Sequence, residues 1–425
     1  MTRSDLDSRG RPVVAVTGTG ILTSLGDGKA ENWRQLTAGI SGIRRISRFP
    51  ITALRTTIAG TIDFVPVGEI SVPELTTALA ERAADEALAE AGITGDFPGP
   101  LFLAMPPVEV EWPQRLAVAA ASEAGDGVIT YADLLRTASG GAYGRWYERF
   151  LFGSVAEHLA DRYGTRGSPI STSTACASGA TAIQLGVEAI RRGETEAALA
   201  IGADASVNPE SLVRFSLLSA LSTRNDPPEA AARPFSRDRD GFVMAEGAGA
   251  LVLESLAHAR GRGAEILGIV QGCGEAADSF HRTRSSPDGK PIIACMHHAL
   301  RDASLAADAI GYVNAHGTGT PENDKMEWLG LSAVFGERAA KLPVSSNKSM
   351  IGHTLSAAGT IEAIFTVLSL RHGILPPTIN YDAPDPALPL DCVPNKAREA
   401  RVAYAISNSF GFGGQNVCLV IGAAG

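Results

Sequence analysis

The apolar positions open with a short inner run, Val13-Val-Ala-Val16, which predicts a buried strand ending in a glycine-rich turn, Thr17-Gly-Thr-Gly20. Leu75, Leu79, Ala83 and Ala87 then recur at helical spacing. With Ser71 placed to cap and Pro73 and Glu74 suited to a first turn, they predict an amphipathic helix over 71–91. Leu101-Phe-Leu-Ala104 predicts a second buried strand. From 105 to 153 the periodicity weakens. Pro106-Pro107, the alternation Val108-Glu-Val-Glu-Trp112, an alanine run and Gly140-Gly141 predict a cap of short helices and loops. Beyond it the alternation is steady: strands over 168–174, 196–203, 248–254, 264–273, 310–314, 342–346, 400–406 and 416–422. Helices are expected over 177–192, 291–304, 322–335 and 356–371, with a loop-rich stretch over 206–241. Runs of this kind belong to an α/β fold whose strands are buried on both faces. No short-period repeat is present, although each half opens with strands and helices and sets a polar motif at a strand end.

Composition narrows the class. The 425 residues are 45% hydrophobic and 20% charged, an ordinary globular balance with ample core for two or three domains or one duplicated unit. A formal net charge of -9 argues against general nucleic-acid binding. Five scattered cysteines (176, 273, 295, 392 and 418) form no CxxC pair, so neither a disulfide framework nor a zinc cluster is expected. The polar first dozen residues and the lack of a long apolar run point to a cytoplasmic protein without a signal peptide or membrane span.

Candidate chemistry centres on Ser171-Thr-Ser-Thr-Ala-Cys176-Ala-Ser-Gly179. Cys176 falls where a strand turns into a helix, and the helix's free N–H groups and positive dipole end favour a thiolate. Two histidines sit at comparable places. His316 follows the strand of Tyr312-Val-Asn-Ala-His316-Gly-Thr-Gly-Thr320, and His353 closes Val344-Ser-Ser-Asn-Lys348-Ser-Met-Ile-Gly-His353. Ligands of open α/β sheets bind at the carboxyl ends of strands, where all three residues are expected. A cysteine there suits an acyl carrier, because a thiol is both a good nucleophile and a good leaving group. Two neutral histidines suit the carbonyl oxygen of a second thioester as it gains negative charge; if that thioester is malonyl, loss of CO2 leaves an enolate. Neither metal nor organic cofactor is required, and the histidines lack metal-site spacing. The Thr17–Gly20 stretch is not GxGxxG, so a dinucleotide site is not expected.

Thr174-Ala-Cys-Ala-Ser-Gly179, Arg239-Asp-Gly-Phe-Val-Met-Ala-Glu-Gly-Ala-Gly249, His316-Gly-Thr-Gly-Thr320, Lys348-Ser-Met-Ile-Gly-His353 and Ser409-Phe-Gly-Phe-Gly-Gly414 resemble the signature motifs of β-ketoacyl-acyl-carrier-protein synthases of type I/II, in this order. The resemblance spans Val13 to Val420. It implies a thiolase-like fold: duplicated βαβαβαββ halves in a five-layer α-β-α-β-α sandwich with a variable cap. The halves would be 1–264, carrying the nucleophile and a cap insertion at about 105–153, and 265–425, carrying the histidines. It implies decarboxylative condensation of an acyl group on Cys176 with malonyl on the carrier protein. His316 and His353 would stabilise the enolate, and Lys348, ion-paired with Glu362, would support the histidines. The N–H groups of Cys176 and Phe412 would form an oxyanion hole with Phe412 as gate, and Thr318 and Thr320 would contact the phosphopantetheine arm. The implied partners are an acyl carrier protein and a second subunit, as a homodimer or with a second synthase.

Three departures qualify this. Met105-Pro-Pro-Val-Glu-Val-Glu-Trp112 stands where the family has a glycine-rich loop, so chain-length preference does not carry over. The helix near 72–82, basic in housekeeping members, has the single cation Arg82, which points to a specialised carrier or a partner synthase supplying the docking surface; Arg44, Arg45, Arg48 and Arg214 are candidate substitutes. Gln415 replaces the usual threonine. The lysine-bearing motif argues against a type III starter enzyme, while a polyketide synthase remains compatible. A non-condensing, chain-length-determining subunit is the competing reading.

Overall fold

The computed structural model describes residues 5–68, 70–123 and 127–424. Its first strand corrects the first expectation. β1 (Val14–Thr23) runs straight through the Thr17–Gly20 stretch, with every residue buried. The glycines are there for packing. A Cβ at Gly18 would lie 2.1 Å from the carbonyl oxygen of Ala87, and one at Gly20 1.9 Å from that of Ala83. Helix α1 (Val72–Ala91) can lie on β1 only because those side chains are missing. Burial of Leu79, fully shielded beneath α1, stabilises this contact by about 1.5–3 kcal/mol. Ser71 does not cap α1, since its hydroxyl has no partner; the Val72 N–H instead donates to Glu111 Oε1 at 2.7 Å, a contact from the cap.

The remaining main elements follow as β2 (Leu101–Ala104), α2 (Ser154–Tyr163), β3 (Ile170–Thr172), α3 (Ser178–Arg191), β4 (Ala197–Asp204) and β5 (Gly247–Ser255). A second series then runs β6 (Gly268–Ala277), α4 (Lys290–Asp302), β7 (Ile310–Asn314), α5 (Pro321–Phe335), β8 (Val344–Ser345), α6 (Ala358–His372), β9 (Tyr404–Phe410) and β10 (Gln415–Ala423). Among the described residues these strands form one hydrogen-bonded path, β8-β7-β9-β10-β6-β1-β5-β4-β2-β3. The path is the same arrangement used twice. Within each series the third strand lies beside the second, then come the fourth, fifth and first, and the parallel and antiparallel pairings also match. Val14–Val16 of β1 pair with Gly268–Val270 of β6 and join the two sheets.

Helices α1 and α2 cover the outer face of the first sheet, α4 and α5 that of the second, and α3 and α6 lie between. These five layers enclose three apolar cores, centred on Leu79 and Leu103, on Ile183 and Ile364, and on Met296 and Ile310. The cap folds into short helices over Trp112–Ala121, Tyr131–Ala138 and Gly144–Arg149, with part of it outside the described residues.

Other boundaries shift for physical reasons. β6 extends to Ala277 because Gly272 and Gly274, which look like strand breakers, sit beneath α4: a Cβ at Gly274 would lie 2.2 Å from the Ala299 nitrogen. β9 begins and ends later than the expected 400–406, which sets Phe410 at a strand end, while β10 falls within one residue of its expected bounds at either end. A helix over Pro209–Leu217, with Asn208 accepting the Ser211 N–H, interrupts the expected loop.

Candidate active site

α3 and α6 meet at their N-termini, where a Cβ on Gly179 would lie 2.6 Å from the Thr360 nitrogen and one on Gly359 2.3 Å from that of Ala180. Each helix is entered by the same turn, Thr174-Ala175-Cys176-Ala177 in one series and Thr354-Leu355-Ser356-Ala357 in the other. Ala175 (φ 49°) and Leu355 (φ 45°) both take the left-handed region, a strain of about 1–3 kcal/mol each that the surrounding packing holds in place. The first turn presents Cys176, and the residue before the second places His353 opposite it.

His353 Nε2 lies 3.1 Å from Cys176 Sγ. The donor atoms of Cys176, His316 and His353 all fall within 4.8 Å of one another, and the two rings meet edge to face at 5.3 Å. Neighbouring donors set the tautomers. The Leu355 N–H points at His353 Nδ1 (3.3 Å), and Lys348 Nζ points at His316 Nδ1 (3.4 Å). Both Nδ1 atoms therefore accept, and each Nε2 carries the proton. Burial and then the Lys348 charge, joined at His316 by His353, hold both imidazoles well below the ordinary histidine range. The site thus offers two neutral Nε2–H donors.

Lys348 is buried and bound to the Glu362 carboxylate and to the His316 carbonyl oxygen (2.7 Å). Burial, opposed by the Lys348 charge and hydrogen bond, raises Glu362 to about 7. Cys176 departs from expectation. Burial pushes its thiol up to about 11, outweighing the Phe412 N–H that bonds the sulfur and the nearby Lys348 charge, which favours the thiol over the thiolate. Three ligands beside the positive charge of Lys348 make a poor pocket for a cation.

The structure therefore gathers Cys176, His316, His353, Lys348, Glu362 and Phe412 at one point. Thr318 and Thr320 bond each other through their hydroxyls at 3.0 Å. Thr320 also caps α5 and lines a cleft of about 460 Å3 with Phe410, Gly411 and Phe412. Residues with no role assigned from sequence hold this geometry. Glu327 accepts the N–H groups of His316 (2.9 Å) and Gly317 (2.7 Å) and the Asn408 amide, and burial raises it to about 7. Asp324 accepts the Phe235 and Gly319 N–H groups. Their i, i+3 spacing on an otherwise apolar helix face, directly after the His316 turn, is the signal that marks both.

Comparisons with known proteins agree with this geometry. The sequence models of the β-ketoacyl synthase N-terminal and C-terminal domains match residues 11–259 and 267–382. The chain is 38% identical to the tetracenomycin polyketide synthase ketoacyl synthase alpha subunit of Streptomyces glaucescens, over 94% of this chain and 95% of that protein. It is 36% identical to 3-oxoacyl-[acyl-carrier-protein] synthase 2 of Coxiella burnetii, over 96% and 98%. A solved type II polyketide ketosynthase, in complex with its acyl-carrier protein, superposes with a TM-score of 0.84 at 31% identity, covering 97% of this chain and all of that one. The chain belongs to the β-ketoacyl synthase family of acyl-transferring condensing enzymes.

Proposed function

We propose that Cys176 takes an acyl group from a carrier-protein thioester and condenses it with a malonyl group to give a 3-oxoacyl thioester and CO2. In the first half-reaction the Cys176 sulfur bonds to the acyl carbon, the carrier's carbon–sulfur bond breaks, and the thiol proton passes to the departing sulfur. The Cys176 and Phe412 N–H groups receive the oxyanion. Then the malonyl thioester carbonyl accepts from the Nε2–H groups of His316 and His353. Its bond to the carboxylate breaks, CO2 leaves, and the electron pair remains as an enolate stabilised by the two donors. The enolate carbon attacks the acyl carbonyl, and collapse of that adduct expels Cys176 as thiolate, which regains a proton.

The observation carrying this reading is the convergence of one thiol and two Nε2–H donors at one buried point, with the Cys176 sulfur bonded by the N–H of Phe412, a residue that lines the cleft. Lys348 and Glu362 act by positioning His316, and Thr318 and Thr320 by contacting the pantetheine arm. Residues 1–264 supply the nucleophile and 265–425 the histidines. Retention of Cys176 and both histidines favours an active synthase over a non-condensing subunit. The partners are an acyl carrier protein and a second chain, either a copy of this one or a second synthase as the alpha-subunit relative suggests. None of the described helices is long and apolar enough to cross a membrane, and the five free cysteines fit a reducing, cytoplasmic setting.

The test is intact-mass analysis with acyl-carrier thioesters of graded length, followed by malonyl-carrier. An adduct on Cys176 that disappears as 3-oxoacyl product forms supports the synthase. A folded dimer that takes no adduct at any length overturns it in favour of the non-condensing subunit.

A further inference from the structure

The surface that receives the carrier is displaced in this chain, an inference that rests on the synthase reading above. α1 has no cation to offer an acidic partner. It carries Glu74, Glu81, Asp85, Glu86 and Glu90 against Arg82, and Arg82 is bound to Asp27. Glu74 is ion-paired with Arg149 (3.1 Å) and Glu81 is hydrogen-bonded to His158 (2.7 Å), so the outer face of α1 is occupied by local pairs with an acidic excess. Of the substitutes suggested by sequence, Arg48 is held by Asp63 and Glu246, Arg214 by Glu109 and Arg44 by the Gly42 and Ser24 carbonyls, while Arg45 is exposed.

The mouth of the cleft is different. Arg282, Arg284 and Lys325 stand exposed on its rim, and among the described residues none has a carboxylate partner. Two acids share the rim. One is Glu322; the other, Asp278, already accepts the Phe280 (2.9 Å) and Ser286 (2.7 Å) N–H groups. Exposed apolar side chains accompany the cations: Leu218 lines the same cleft with Leu217 before it in the chain, and Phe280 lies two residues before Arg282. The rim is also fixed to the catalytic loop, since the Gly413 N–H donates to the Arg282 carbonyl at 2.7 Å, one residue from Phe412.

We propose that Arg282, Arg284 and Lys325 are the docking cations for an acidic carrier protein. They receive the phosphodiester of its pantetheine arm and the acidic surface around it, while Leu217, Leu218 and Phe280 cover the carrier's apolar contact. In a molecule of formal net charge -9, a local cluster of unpaired cations is what draws an acidic partner to one place. Its position at the cleft mouth delivers the arm toward Thr320 and Phe412.

The experiment compares acylation of Cys176 by an octanoyl group on a small acidic carrier with acylation by octanoyl-N-acetylcysteamine, which has no carrier surface. The measure is the ratio of the two rates. In the R282E/R284E variant the ratio falls about tenfold, and the wild-type ratio falls as salt rises. R82E shifts it less than about twofold. A double variant with the wild-type ratio, or an R82E variant with an equal loss, overturns the docking site and leaves the synthase standing. Failure of both thioesters to acylate wild-type Cys176, repeated with butyryl thioesters, overturns the synthase reading and the docking site with it.

Discussion

At the scale of single residues, Lys348 couples stability and chemistry. K348M strands Glu362 in the interior, and a chemical-denaturation curve should show a loss of about 3–5 kcal/mol. Adding E362Q should recover much of that stability by removing the unpaired charge. Activity should not return, because the donor that holds His316 Nδ1 is still missing. A double-mutant cycle run in parallel on denaturation midpoint and malonyl decarboxylation separates the two roles. Cys176 yields a pH prediction. With its thiol raised to about 11, its alkylation by iodoacetamide should climb about tenfold per unit from about pH 7 to pH 10, where an ordinary cysteine levels off near 8.5. Residues whose type announces chemistry were legible: Cys176 and the two histidines stand out between glycines and small side chains. Glu327 was passed over, because a glutamate in a helix reads as a solvated residue unless its place on an apolar face is weighed; the fold buries it under two N–H groups of the His316 turn. The thiol's protonation was misread for a related reason: the helix N-terminus is local and visible in sequence, whereas the burial that outweighs it comes from distant elements.

At the scale of elements, glycine was the source of error. Gly18 and Gly20 interrupt an apolar pattern and look like a turn, and Gly274 falls just past the expected strand end at 273, yet each lies within a strand, as Gly272 does, and makes room for the backbone of a covering helix. G20A would drive a methyl group into the Ala83 carbonyl from a strand held on both sides, and its urea midpoint should fall by an amount worth at least about 1–3 kcal/mol. G261A, at a helix position with open space around it, should be neutral within about 0.5 kcal/mol or slightly stabilising. Helix existence was far more legible than strand extent, because a helical stripe needs only its own periodicity. A strand's ends depend on which neighbour supplies its hydrogen bonds.

At the scale of the whole molecule, the two ends of the sheet differ. β8 is buried at one end, while β3 at the other begins with Ile170, which is 46% exposed and, among the described residues, has no strand beyond it. An unpaired strand edge of this kind is a template for pairing with another chain. In light scattering the protein should behave as a dimer, and I170K should shift it toward monomer while leaving its circular dichroism unchanged. The shared order of the two halves was legible in the sequence, whereas the order in which their strands pair was not, because pairing joins strands far apart in the chain.

β1 is made before the other strands it joins, yet it lies in the middle of the finished sheet. Its flanking partners are β5, with Ser255 opposite Val14, and β6, with Val270 opposite the same residue. More than half of the chain must therefore emerge before that strand can be enclosed. Until then the nascent chain has α1, closing over Gly18 and Gly20, as its early shelter for β1. Slow assembly follows from such distant pairing, and a chain halted after the first series would expose the face of β1 that β6 covers, inviting capture by chaperones or by another copy.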